Sequence, residues 1–226
     1  MTNLDFSGVL SHWPELMDGA LLSLILAIAA TILGFFIGTL CAIGRRSSVG
    51  WLAALCGGYV EAIRNTPLLV QIFLVYFGLS SMGLRLSAVT VAILALVINV
   101  GAYAAEIMRA GFDSIQRGQI EAAECLGLSR LQVYCHVILL PGLERVYPAL
   151  TSQFVLMMLA SSVCSQISTE ELTAVANYVQ SETYRPLETY LVIAVAYVAL
   201  SFLMRIGFWA LGTWLFPRRR RLGTPL

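Results

Sequence analysis

The stretch ALLSLILAIAATILGFFIGTLCAIGRR, Ala20–Arg46, decides the fold class. No charged side chain interrupts it before Arg45. A helix that crosses the hydrocarbon core of a bilayer needs about 20 mostly apolar residues. The run from Ala20 to Ile43 therefore reads as one membrane span, closed by a basic pair. Four more segments, 51–79, 87–110, 146–167 and 187–216, meet the same criterion. The expected molecule is an all-α integral membrane protein with five transmembrane helices. Between the third and fourth spans lies a polar stretch, 111–145. Irregular backbone is not tolerated against lipid, so that stretch is expected in water. This divides the chain into an N-terminal segment, 1–18, a transmembrane domain, 19–216, and a basic tail, 217–226.

Composition agrees. Of 226 residues, 58% are hydrophobic and only 12% charged, with a mean hydropathy of +0.81. A soluble domain carries about a quarter charged residues. All 14 basic residues are arginine. A P-loop requires a lysine on the nucleotide phosphates, so the chain is not expected to form one, and any ATP used must be hydrolysed by another polypeptide. The five cysteines are scattered singly and suggest neither a disulfide framework nor a metal site. His12 and His136 fall outside the spans, and neither H-E-x-x-H nor G-x-S-x-G occurs. With no catalytic set, metal or cofactor indicated, an intramembrane enzyme is set aside.

Arginine distribution orients the chain. With the N-terminus outside, Arg45, Arg46, Arg109, Arg117, Arg130, Arg145 and the run Arg218–Arg221 all fall in the cytoplasm. Only Arg85 and Arg185 then fall outside. N-out, C-in is the expected topology. The segment 1–18 holds Asp5, Glu15 and Asp18 but no basic residue, so it lacks the n-region of a signal peptide. The first span should therefore be retained. The arginine run reads as an anchor at the cytoplasmic face, in contact with lipid rather than nucleic acid.

Within the polar stretch, Gln119–Leu126 is rich in helix formers and Gly127 stands where a helix C-terminal glycine would. Ser129 can cap a second helix that Pro141 ends. A helical knob results, either docking a partner through small residues such as Ala122 and Ala123 or merely solvated.

Polar residues inside spans need a reason. Glu61 and Arg64, three apart, can pair on one helix face, as a structural pair or a gate. Pro67 disfavours helix at Thr66, so a kink at Asn65-Thr66-Pro67 could free carbonyls toward a solute path or be purely structural. Asn99, Tyr103 and Glu106 fall on one stripe of the third span. Glu106 could hold a substrate cation and Tyr103 the substrate's apolar part. Ser161, Ser165 and Ser168 share a stripe of the fourth span, for packing or for the path.

Several of these residues carry a family resemblance. Glu121-Ala122-Ala123, Gly127-Leu128, Ile138 and Pro141 resemble the "EAA" loop of ABC importer membrane subunits. Leu140 stands at the usual proline place there, and Pro141 follows one residue later. The stretches from Tyr59 to Gln71, from Ala102 to Gly111 and from Ser161 to Thr173 are similar to the polar amino acid permease branch. The resemblance implies a type I ABC importer fold in the bacterial cytoplasmic (inner) membrane. It also implies an amino acid substrate, two ABC ATPase subunits docked on the loop, a second permease subunit, identical or homologous, and an external solute-binding protein. A secondary transporter or channel working alone is the alternative, but such proteins typically show repeated halves, and five unrepeated spans are few for a self-contained path.

Overall fold

The computed structural model describes residues 4–217, and these contain helices and turns but no strand. The basic run Arg218–Arg221 lies outside the described residues. A single turn, α1 (Ser7–Leu10), precedes α2 (Trp13–Arg45), which starts earlier than hydropathy suggests because Pro14 is tolerated in a first helical turn. Next come α3 (Gly50–Arg64), α4 (Leu68–Ser81), α5 (Ala88–Asp113) and α6 (Arg117–Cys125). The α7 turn (Arg130–Gln132) runs without a break through a π-wound segment, Val133–Leu139, into α8 (Leu140–Ala160) and a 3₁₀ segment, Ser161–Ile167. Helices α9 (Leu172–Thr183) and α10 (Pro186–Leu215) complete the chain.

Four of these units are long and apolar enough to cross a membrane: Trp13–Arg45, Ala88–Asp113, Arg130–Ile167 and Pro186–Leu215. The expected second span is two helices, α3 and α4, bent by 111° at the expected break, Asn65-Thr66-Pro67. Counting that bent pair makes five. The helix that carries the expected fourth span, 146–167, starts earlier, at Arg130, inside the polar stretch. Pro141 was expected to end the preceding helix, but the π turn before it widens the backbone and accommodates the missing donor.

Helix α5 is the centre of the molecule, with Ala95, Leu96, Val100, Ala104 and Met108 fully buried. It packs most closely on α2, where Gly34 and Gly38 permit backbone contact: a Cβ on Gly38 would stand 2.6 Å from the Gly101 carbonyl oxygen. Small residues at such spacing are how helices associate in lipid, where hydrophobic exclusion supplies no force. Helix α10 lies at the periphery and leaves Val195, Phe202, Leu203 and Ile206 more than half exposed, as a lipid-facing surface requires.

Candidate functional site

The loop between α5 and α8 is built almost wholly from local hydrogen bonds. Gly127 has φ +77°, the left-handed region that an L side chain adopts only at a cost. Its N–H donates to the Glu124 carbonyl (2.9 Å), and that of Leu128 donates to the Ala123 carbonyl (3.2 Å), which closes α6 in a Schellman motif. Ser129 then starts the next helix with a capping box. Its hydroxyl accepts from the Gln132 N–H (3.4 Å), and its own N–H donates to Gln132 Oε1 (2.8 Å). Of the residues singled out in the loop, Glu121, Ala122 and Gly127 are exposed, Leu128 is half-buried, and Ala123 faces inward. Two side chains that hydropathy windows do not flag, Leu126 and Leu131, project at the tip, 79% and 73% exposed. The base of the loop is rigid: a Cβ on Gly111 would stand 2.8 Å from the Gly142 carbonyl, and Arg145 donates to the Ser114 carbonyl. The α5 and α8 backbones thus touch where the loop leaves the bundle.

A second polar centre joins α2, α3 and α5. Glu106 accepts from Arg45 (2.6 Å) and Arg109 (2.5 Å), and Arg64 lies 3.6 Å away. Asp113 joins Arg109 (2.7 Å) to Arg46 (3.0 Å). The carboxylate assigned to a substrate cation is therefore taken by three guanidinium groups of its own chain. Arg64 also stacks over Tyr103, 5.7 Å from the ring centroid. The expected Glu61–Arg64 pair is replaced: Arg64 turns to Glu106, while Glu61 accepts from Asn65 Nδ2 at 3.2 Å.

The break at Pro67 is closed from inside. Buried Gln71 donates to the carbonyls of Ile63 (2.8 Å) and Thr66 (3.0 Å), and its own Oε1 accepts from buried Asn99 (2.8 Å). The carbonyls of Ile63 and Thr66 at the kink are thus occupied by a side chain, the structural of the two alternatives for the break. The stripe Asn99–Tyr103–Glu106 exists, but it faces the bent pair and α2. The serine stripe does not survive: Ser161 and Ser165 lie in the 3₁₀ segment, where three residues per turn set residues four apart on different faces. Ser161 is buried and donates to the Met158 carbonyl, and Ser168 adopts a left-handed φ of 59°.

The model of the family described as the binding-protein-dependent transport system inner membrane component matches residues 30–221. The chain belongs to this family. Among its relatives it is 37% identical over 221 residues to the octopine transport system permease of Rhizobium meliloti, covering 93% of this chain and 90% of that one. It is 35% identical over 210 residues to the glutamine transport system permease of Escherichia coli, covering 89% and 94%. A solved amino acid ABC transporter with histidines superposes with a TM-score of 0.85 at 34% identity, covering 94% of this chain and 99% of that one. The inward-facing MetNI methionine transporter shares the fold at a TM-score of 0.74 and 17% identity, over 91% and 98% of the two chains. The all-α, five-span type I importer architecture is that of the family. The family description places its members in the inner membrane as components of binding-protein-dependent transport systems.

Two features of this permease had no sequence signal of the kind used above. Arg45 reads as a boundary residue, yet it is the shortest partner of Glu106 among α2 and α3. Gln71, the last residue of the second motif, reads as an ordinary span residue, yet it bridges the break. Only its placement four residues after Pro67, inside an otherwise apolar run, hinted at a hydrogen-bonding duty.

Proposed function

We propose that this chain is the membrane-spanning permease subunit of an ATP-driven amino acid importer in the bacterial inner membrane, N-terminus outside and C-terminus in the cytoplasm. The amino acid class follows from the relatives named for octopine and glutamine. The observation that carries the mechanism is the knob around Gly127. Its backbone is satisfied within itself, its tip presents Leu126 and Leu131, and its base is clamped at Gly111 and Gly142.

Such a knob suits a coupling element for an ATPase subunit. Exposed leucines held in water gain by burial in a partner's groove, and the glycine contact at the base passes a push on the tip to α5 and α8 together. Two ATPase subunits would draw the knobs of two permease subunits toward each other and shift the balance between inward-facing and outward-facing states. The second permease subunit, identical or homologous, completes a path that five helices alone do not enclose. The external binding protein delivers the amino acid. In this scheme the Glu106 cluster is a staple that keeps α2, α3 and α5 moving as one body, and the Gln71–Asn99 bridge keeps the bent pair at its angle.

The test is reconstitution of the permease with its ATPase and binding protein. Gly127→Pro should leave the chain in the membrane and abolish substrate-stimulated ATP hydrolysis. Normal stimulation in that variant sinks the coupling assignment. Accumulation of solute against a gradient by the chain alone sinks the whole reading.

A further inference from the structure

Among the described residues, Arg205 has no ion-pair or hydrogen-bond partner. It is the only charged residue of α10 after Glu188. Helix α10 has 30 residues, about 45 Å at 1.5 Å each, against a hydrocarbon core of about 30 Å. Arg205 lies ten residues before Leu215, roughly 15 Å along the axis. That places it inside the core, in the half nearer the C-terminus. A bare guanidinium there is costly and is retained where it finds an anion, faces a water-filled cavity or reaches the interface.

The surroundings are built for the first of these. Arg205 lines a cavity of about 220 Å³ between α8 and α10, together with Thr151, Ser152, Phe208 and Trp209. Its wall is held in place, because the Tyr147 hydroxyl donates to the Phe208 carbonyl at 2.6 Å and Gly212 leaves room for the tyrosine ring. About one and two and a half turns further along, Trp209 and Trp214 are 61% and 77% exposed, as tryptophans at a membrane–water boundary are. An arginine arm reaches that level by snorkelling. The anion found there, in the cytoplasmic leaflet, is the lipid phosphodiester, whose oxygens match a guanidinium fork.

We propose that the cavity between α8 and α10 binds the phosphodiester of an anionic phospholipid through Arg205, beside Trp209. This rests on the membrane orientation given above. The site would couple the lipid's charge to α8, the helix that continues directly from the knob.

Trp209 supplies the probe. In the full chain with Trp13, Trp51 and Trp214 replaced by Phe, its fluorescence is read in vesicles that mix brominated phosphatidylglycerol with phosphatidylcholine, and the reverse. Preference for the anionic lipid should be about fivefold, the factor for one basic residue at an anionic leaflet. It should fall to near one in Arg205→Gln and be kept in part in Arg205→Lys. Equal quenching by both lipids, or a preference unchanged in Arg205→Gln, overturns the proposal. So does shielding of Trp209 from both lipids, which would mean that a second protein chain covers the cavity. Displacement by soluble glycerol phosphate overturns the lipid as ligand. The readout needs only inserted chain, so a failure of amino acid uptake in a parallel assay bears on the proposed function and leaves this result standing.

Discussion

The helix from Arg130 to Ile167 ends in a corner on each side, and the two corners use the same devices to opposite effect. At the knob, left-handed Gly127 turns the chain and Ser129 caps the helix that follows. At the far end, left-handed Ser168 turns the chain and Glu171 caps α9, accepting from the N–H groups of Thr173 and Ala174 at 3.0 Å each. The Ser129 cap is exposed, and the partner of its side chain is three residues away. The Glu171 carboxylate is fully buried. It also takes the Tyr197 hydroxyl (2.8 Å) and the Ser23 hydroxyl (3.3 Å), which ties α2, α9 and α10 together. One corner is autonomous and leaves its tip free for another molecule. The other is tied into the fold through a buried carboxylate.

That contrast is broken most severely at Glu171. Glu171→Ala strands the N–H groups of Thr173 and Ala174 in a buried site and removes an acceptor from the Tyr197 and Ser23 hydroxyls, which keep Thr173 and the Gly19 carbonyl as partners. With each stranded donor costing on the order of 1 kcal/mol or more, the loss should be about 3 kcal/mol, read as a lowered unfolding temperature of the purified chain in detergent. A change no larger than that of a surface substitution would show that the far corner is as independent as the knob.

Glu171→Gln sharpens the same comparison through pH. Burial is the largest influence on the Glu171 carboxyl and holds its pKa above the ordinary 4.5, outweighing the hydrogen bonds that favour the charge. A raised carboxyl is protonated in both states at low pH. As pH climbs from the unfolded value through the folded one, the folded state resists ionisation, so stability is lost. Wild type should therefore lose unfolding temperature as pH rises from about 4.5, and Glu171→Gln, which keeps an acceptor but cannot ionise, should lack that component. An identical pH profile in both would remove the carboxyl from the account.

Ser129→Ala is the matching cut at the autonomous corner. Loss of an exposed N-cap costs about 1 kcal/mol. Because its partners are local, the loss should appear as faster hydrogen exchange confined to residues 129–133, with global unfolding almost unmoved. Exchange that spreads into α2 or α10 would mean that the knob is tied to the bundle after all.

The same distinction explains what could be read from residues alone. Spans announce themselves, because each apolar run answers to the bilayer without reference to any other segment. So do Gly127 and Ser129, whose duties are fulfilled within five residues. The partners of Glu106 were hidden, since Arg45 lies 61 residues away and sequence proximity favoured pairing Arg64 with Glu61. Ser23, 148 residues from Glu171, was equally invisible. The serine stripe misled for a different reason: period counting assumes α winding, and the backbone changes to 3₁₀ at Ser161. Pro141 misled because a π turn absorbed the break that a proline ordinarily makes.

The smallest expected cost to stability falls at the tip. Leu126→Ser and Leu131→Ser remove side chains that touch almost nothing in this chain, and surface changes of this kind stay within about 0.5 kcal/mol. If the knob were only a solvated hairpin, its apolar tip would serve no purpose and the double variant would be silent in every assay. If the tip enters an ATPase groove, the same variant should fold and insert normally yet lose co-purification of the ATPase, because two buried leucines contribute most of the apolar area such a contact can offer. Unchanged thermal unfolding with lost association would place the Leu126–Leu131 tip wholly on the side of partnership. Lowered stability with association intact would move it into the fold, and the contrast between the corners would fail.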